Sequence, residues 1–341
     1  MHQRSSLFKI SLSCGLAGLS VLTAFVAGEF SVRLAEPELD PTRHLRFIMG
    51  EGNQPTLGYR NTEKRQIKNT GDFNVKIRIN EFGLRDSKSL SQGTAEDYYL
   101  VGDSFTFGWG VEEHQRISER LEALTGKPVF NLSMPTGIDG YEKLLDYAIS
   151  NGAPIRNVII AVSMETNIID YDQEKKLKPP PAQLSGKSVI RKLKNFLTGN
   201  SALYIMATTL IHRSPILKDV AARWGVLIPN LQGVRRFEFS EKIILSSARW
   251  LAAIARRFKT TVAILPSRAL WVGRNKTVEE KRHRAFVTHL NAMGLSVVDL
   301  KPAFEKDGNP LAYHFANDPH WKPTGHALAA KALANFMASR Q

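Results

Sequence analysis

The sequence predicts an α/β protein, a three-layer α/β/α arrangement around a mostly parallel central sheet, preceded by one N-terminal transmembrane helix. Three observations predict it. From Tyr98 onward, short apolar segments alternate with helical ones, the order of a parallel sheet covered by helices. The run Asn157-Val158-Ile159-Ile160-Ala161-Val162 is apolar without alternation, as a strand buried on both faces is. Residues 10 to 28 are almost uncharged, with Arg4 and Lys9 before them and Glu29 and Arg33 after.

That N-terminal stretch is close to the ~20 residues a bilayer-spanning helix needs, whereas a cleaved signal has an apolar region of about 7–15 residues. It is read as a signal anchor over residues 1–34. The basic flank before the span places the N-terminus in the cytoplasm and the rest of the chain outside, on the periplasmic side of a bacterial membrane. The small-residue exit Val26-Ala27-Gly28 leaves cleavage, and so secretion, as the alternative. Cys14, the only cysteine, stands too early in the apolar run for a lipoprotein acceptor. A single cysteine allows no intramolecular disulfide and no cysteine-based metal site.

The remaining composition is that of a folded chain, with 43% apolar residues over 341 positions. Its 46 basic and 32 acidic residues leave a net charge of +14, which suits anionic polymers, phospholipid head groups or nucleic acid. The export segment and the absence of a recognisable nucleic-acid-binding motif set the last aside.

Residues 35 to 72 are polar and interrupted by Pro37, Pro41, Gly50, Gly52 and Pro55, and read as a linker. In residues 73–79, Phe73, Val75, Ile77 and Ile79 alternate with Asn74, Lys76 and Arg78, predicting one strand within an arm that extends to residue 95. The catalytic-type domain then runs over residues 96–341. Its strands are predicted at 98–101, 129–132, 157–162, 261–265 and 295–300, and its helices at 115–124, 141–150, 246–258, 279–293 and 324–339. Residues 172–240 break the alternation with Pro179-Pro180-Pro181, a stiff spacer, and the basic Lys187, Arg191, Lys192 and Lys194. They form a basic insertion, either a solvated surface excursion or a cap that meets an anionic substrate or the membrane.

Four segments carry chemistry. Gly102-Asp103-Ser104-Phe105-Thr106-Phe107-Gly108 follows the first strand of the parallel set, which puts a serine hydroxyl at a carboxyl-terminal strand end, where open α/β sheets bind ligands. By itself the tripeptide also fits an ordinary turn whose aspartate caps the next helix. A neutral serine needs an imidazole to take its proton and a carboxylate to hold that imidazole. Asp318 and His320, in Asn317-Asp318-Pro319-His320-Trp321, offer both near the other end of the chain. Thr136-Gly137 follows the second of these strands and Glu165-Thr166-Asn167 the third. The N–H of Ser104, an N–H at Thr136 or Gly137 and the Asn167 amide are then the candidate oxyanion donors.

With these four blocks in order over residues 101 to 326, the chain resembles the SGNH, or GDSL-type, hydrolase superfamily. The resemblance implies Ser104 as nucleophile, His320 as base, Asp318 as its orienting acid and Asn167 as oxyanion donor. It implies no cofactor. Two departures stand out. A glycine is usual where this chain has Thr136 followed by Gly137, and the usual terminal Asp-x-x-His spacing would put Asn317 at the acid position. Asp318 instead fits the Asp-x-His-Trp form of alginate O-acetylation proteins, and asparagine cannot stabilise an imidazolium as a carboxylate does.

The expected activity is a membrane-anchored esterase or acyltransferase acting through an acyl-enzyme on acyl esters, O-acetyl above all, of an envelope or exported polysaccharide. Polysaccharide-assembly proteins are its expected partners. A lipid esterase and a non-catalytic carbohydrate-binding or assembly module are the alternatives. Trp109 and Trp321 are candidate stacking surfaces for sugar rings, although buried packing is the commoner fate of tryptophan. His314 and His326 flank the terminal motif as helix-end or substrate-facing residues. Glu165 and Asp170 lack the clustered partners a metal site requires.

Overall fold

The computed structural model describes residues 2–171, 186–224 and 238–340. The Pro179–Pro181 spacer and the side chains of Lys187 and Arg191 lie outside the described residues. The chain divides into two compact units. One comprises Met1–His44, Asn69–Gly71 and Pro181–Ile228, the other Leu45–Lys68, Asp72–Pro180 and Pro229–Gln341.

In the second unit five strands form one wholly parallel sheet: β5 (Tyr98–Gly102), β6 (Val129–Asn131), β7 (Asn157–Ser163), β8 (Lys259–Leu265) and β9 (Ser296–Asp299). Their spatial order is β6-β5-β7-β8-β9. Successive strand side chains point to opposite faces, and the two cores follow from that. Tyr99, Val101, Val158, Ile160, Val162, Val262 and Ile264 pack on one face with α4 (Ile138–Ser150), α8 (Glu241–Ala255) and α9 (Lys276–Ala292). Leu100, Ile159, Ala161, Ala263, Leu265 and Val298 pack on the other with α3 (Ile117–Thr125) and α11 (Pro323–Ala338). This is the three-layer α/β/α fold read from the sequence, and β7 is buried on both faces.

The chain leaves β5 for β6 on one side and returns past it to β7 on the other, so β5 marks the point where strand order reverses. Crevices outside the carboxyl ends of the strands open at such points. The serine turn follows β5 directly.

The arm differs from its expectation of one strand. Val75, Ile77 and Ile79 of β4 (Asn74–Ile79) are buried in alternation as the pattern requires. β4 pairs antiparallel with β3 (Thr62–Ile67), from Thr62 opposite Ile79 to Ile67 opposite Asn74. A two-residue ladder joins β1 (Phe47–Ile48) to β2 (Leu57–Gly58). The segment Thr-Glu-Lys-Arg-Gln-Ile has no apolar alternation to announce a strand. It is held by pairing with β4 rather than by burying a face of its own.

In the first unit α1 (His2–Ala35) is a single 34-residue helix. Its Gly15–Ala35 stretch is apolar and long enough to cross a membrane, at about 31 Å against a hydrocarbon core of about 30 Å. Within the predicted insertion the unit carries α5 (Gly186–Asn200), α6 (Ala202–Arg213) and α7 (Pro215–Arg223).

Candidate active site

The serine turn is built by its neighbours. A Cβ on Gly102 would come within 2.2 Å of the Thr106 hydroxyl and 2.8 Å of the Ala161 carbonyl oxygen, so β5 can end this close to β7 only on glycine. Asp103 caps α2 (Ser104–Phe107): its Oδ1 accepts the Phe105 N–H at 2.9 Å and its Oδ2 the Thr166 hydroxyl at 2.7 Å. The capping role foreseen for a Gly-Asp-Ser turn is thus present together with a half-buried serine hydroxyl. Gly108 ends α2 at φ +86°, a left-handed position where a side chain would also run into Arg116. The fully buried Arg85 donates to the carbonyls of Phe107, Gly108 and Val111, satisfying the end of this short helix.

At the turn the hydroxyl of Ser104 lies 2.8 Å from His320 Nε2, and His320 Nδ1 lies 2.5 Å from Asp318 Oδ1. Burial pushes the Asp318 carboxyl up, but the His320 hydrogen bond and the charges of His320 and Lys68 outweigh it, holding it well below the usual carboxylate range. An ionised carboxylate can only accept, so Nδ1 donates to it. In the neutral ring Nε2 then accepts from the Ser104 hydroxyl, the arrangement a base needs to remove that proton.

Supporting groups fix the loop. Lys68 Nζ binds Asp318 Oδ2 at 2.8 Å, so each carboxylate oxygen has a partner. Arg268, just past β8, donates to the carbonyls of Phe315, Ala316 and Asp318, each at 3.3 Å. The Asn317 N–H is held by Asp72 at 3.1 Å, with the Asn317 residue itself exposed. The structure therefore brings Ser104, His320 and Asp318 together and leaves Asn317 outside the chain of hydrogen bonds. Lys68, Asp72, Arg85 and Arg268 were not singled out from the sequence. Each is a lone polar residue whose partner is dozens to hundreds of positions away, and no local spacing marks it.

The four oxyanion candidates stand at three neighbouring strand ends. The Ser104 N–H is the first of α2, one of the donors a helix cannot pair internally. Asn167 Oδ1 accepts from the Ser163 N–H at 2.8 Å and the Tyr141 hydroxyl at 2.9 Å, which fixes which end of the amide is the donor. Its Nδ2 reaches the Thr136 carbonyl at 3.4 Å and keeps a second N–H. Thr136 and Gly137 are half-buried, and Gly137 caps the start of α4.

The aromatic candidates separate. Trp109 is half-buried and stacks on the His320 ring, with centroids 5.6 Å apart and an angle of 23°. Trp321 has 0% exposure, between Phe105 and Phe304, so it offers no face for a sugar ring, and the expectation of stacking there is corrected to core packing. His314 and His326 are buried as well, and burial pushes each imidazole down to about 3, leaving both neutral near pH 7. Neither faces substrate.

Glu165 stands out. It is 4% exposed, its Oε2 has no partner among the described residues, and its carboxylate accepts a hydrogen bond from the Arg268 backbone. Burial raises its carboxyl from 4.5 to about 7, with the His320 charge pulling the other way. A carboxyl raised on folding binds its proton more tightly in the folded state, so stability declines as pH rises from the unfolded value through about 7. The penalty is of order 3 kcal/mol. Glu165→Gln removes it, so the variant's stability relative to the parent should rise by about that much between about pH 4 and about pH 8. Urea unfolding at the two pH values checks this, and a pH-independent difference between variant and parent would contradict it.

With this geometry in view, the comparisons with known proteins bear out the superfamily resemblance read from the motifs. Residues 249–341 match the family model described as the SGNH hydrolase-like domain of acetyltransferase AlgX. Among solved structures the chain is similar to the lipase/acylhydrolase from Enterococcus faecalis, at 13% identity over 72% of this chain and 96% of that one, with TM-score 0.41. It is similar to a member of the lipolytic protein G-D-S-L family from Veillonella parvula, at 12% over 70% and 96%, with TM-score 0.37. A third is an acetylxylan esterase from Geobacillus stearothermophilus, at 11% over 72% and 96%, with TM-score 0.40. No curated protein matches the sequence.

Proposed function

We propose that this chain, whose residues 249–341 match an SGNH hydrolase-like acetyltransferase model, is a membrane-anchored enzyme that moves acyl groups, O-acetyl above all, on an envelope or exported polysaccharide. Acyl-ester chemistry in general, hydrolysis or acetyl transfer, is what that match supports. The observation that carries the reading further is the unbroken chain from Ser104 through His320 to Asp318 and Lys68.

In the proposed mechanism His320 Nε2 takes the hydroxyl proton as Ser104 Oγ attacks the ester carbonyl. The oxyanion is held by the Ser104 N–H, an N–H at Thr136 or Gly137, and Asn167 Nδ2. The same proton then passes to the departing alcohol, and an acyl-serine remains. Water or a sugar hydroxyl, deprotonated in turn by His320, attacks that ester, and as the acyl–Oγ bond breaks His320 returns the proton to Ser104, giving hydrolysis or transfer. Trp109 shapes the entrance beside His320. The +14 charge favours an anionic glycan.

Membrane anchoring rests on the length of Gly15–Ala35. A fluorophosphonate probe added to intact cells whose outer barrier has been permeabilised should label the protein, which should then stay in the membrane pellet after alkaline carbonate. Absence of labelling counts against an activated serine. A labelled protein released by carbonate counts against the anchor alone.

A further inference from the structure

The first unit carries its own concentration of exposed apolar surface. On α7 and at its carboxyl-terminal cap, Ile216, Leu217, Val220 and Trp224 are all exposed, Ile216 at 76% and Trp224 at 82%. At about 100° per residue these four positions fall within an arc of about 100°, a continuous stripe rather than scattered residues. On α5 Leu193 and Phe196, three residues apart, are 55% and 62% exposed. Leu210 adds to this on α6. Water solvates such a stripe at a cost of about 25 cal/mol per Å², and monomeric soluble surfaces seldom keep one.

Two further observations say what covers it. Residues 186–224 contain seven basic residues, Lys187, Arg191, Lys192, Lys194, Arg213, Lys218 and Arg223, against the single acidic Asp219. Apolar and basic residues interleaved on helices are the composition of segments that lie at an anionic membrane surface, with tryptophan at the boundary. The unit is also tied to the end of α1. The Glu29 carboxylate accepts from the Ser201 hydroxyl and the N–H groups of Ala202 and Leu203, at 2.8 to 3.1 Å, capping α6. Arg33 binds Glu29, Asp40 and the Asn200 carbonyl. Glu29 and Arg33 are the first charged residues after the uncharged run of residues 10–28, in the last turns of the Gly15–Ala35 stretch, so the junction of α5 and α6 is held at the carboxyl-terminal end of that stretch.

We propose that helices α5 to α7 lie in the outer bilayer interface beside α1, with Ile216, Leu217, Val220, Trp224, Leu193 and Phe196 at the acyl boundary and the side chains of Lys192, Lys194, Arg213, Lys218 and Arg223 level with lipid phosphates. The inference rests on the membrane anchoring proposed above and adds a second, lateral contact to it. Attraction between basic side chains and anionic head groups orients the stripe toward the membrane. A protein partner on the same stripe is the competing occupant, and the test separates the two.

The full-length chain is reconstituted in phosphatidylcholine–phosphatidylglycerol vesicles with or without brominated acyl chains, and tryptophan fluorescence is compared for the parent and Trp224→Phe. Trp321 is buried and Trp109, Trp250 and Trp271 are partly buried, so Trp224 is the tryptophan open to an external quencher. The expected result is bromolipid quenching in the parent that is lost in Trp224→Phe, with little quenching of Trp224 by aqueous iodide. Trp224 quenched by iodide and blind to bromolipid overturns the proposal, and so does Trp224 blind to both, which would mean that protein covers it. Flotation of the same vesicles keeps the two readings apart. A chain that floats with Trp224 unquenched leaves the anchor standing and this inference refuted, whereas a chain that does not float refutes both.

Discussion

Ser104→Ala should reduce acyl-ester turnover by about 10⁶, to near background, while the protein stays folded, because the hydroxyl forms the covalent bond and nothing else in the site can replace it. The fold is expected to survive. The turn is held by Gly102, by the Asp103 cap and by Arg85 on the α2 carbonyls, and the Ser104 hydroxyl contributes to none of these. What the substitution leaves behind is a His320 Nε2 without its partner, at a ring still partly open to water. The residual rate measures what the oxyanion donors and binding supply on their own. Turnover of p-nitrophenyl acetate and of an acetylated glycan, with circular dichroism on the same samples, decides it. Undiminished turnover by a natively folded variant would remove Ser104 from the nucleophile's place.

The second large effect is expected at Asp318. Replacing the carboxylate of such a triad by an amide costs about 10⁴ in turnover, because an amide can present its N–H to the ring, favour the wrong tautomer and leave the imidazolium unstabilised. Asp318→Asn should fall in that range, and Asn317→Ala should lose far less, since Asn317 enters the site only through its backbone N–H on Asp72. The Asp318 substitution also carries a stability signature. The folded carboxyl is held well below its ordinary value of 3.8, so the stability it contributes is fully present above 3.8 and is lost as pH falls from there through the lower folded value. Asp318→Asn should therefore lose stability at neutral pH and lose nothing further in strong acid. kcat/KM for both variants, with urea unfolding at neutral and acid pH, tests the pair. A crippled Asn317 variant beside a near-normal Asp318 variant would reverse the assignment.

Both expectations rest on residues that the sequence makes visible, for a physical reason. The strands at 98–101, 129–132, 157–162, 261–265 and 295–300 announce themselves because a sheet buried on two faces leaves apolar runs that no surface segment shows. Ser104, Asn167 and the 318–320 pair are legible because each sits next to such a run or in a compact motif. β3 is not, since Thr62–Ile67 is polar apart from its last residue, Ile67, and owes its conformation to β4. Lys68 and Arg268 escape for the same kind of reason: what matters is their reach to Asp318 and to the 315–318 carbonyls, across 250 and about 50 positions of sequence. Trp321 misleads in the other direction. Its place beside His320 in sequence suggests an exposed platform, but neighbours on an extended segment face opposite ways, and the side chain after His320 enters the core.

The bond between Glu29 and the start of α6 gives the N-terminal helix a duty that an address label does not have. Export signals are in general interchangeable, because the machinery reads their charge and apolarity and the folded product keeps no memory of them. Here the last turns of α1 supply the acceptor for two backbone N–H groups and a serine hydroxyl at the start of α6. A foreign helix of the same hydropathy would leave the Ala202 and Leu203 N–H groups without this acceptor, with only the Ser201 cap on Tyr204 remaining, and trimming the chain after Gly28 would keep the carboxylate but remove most of the helix that aims it. Glu29 thus belongs at once to the apolar N-terminal helix and to the start of α6, and a substitution there has to suit both.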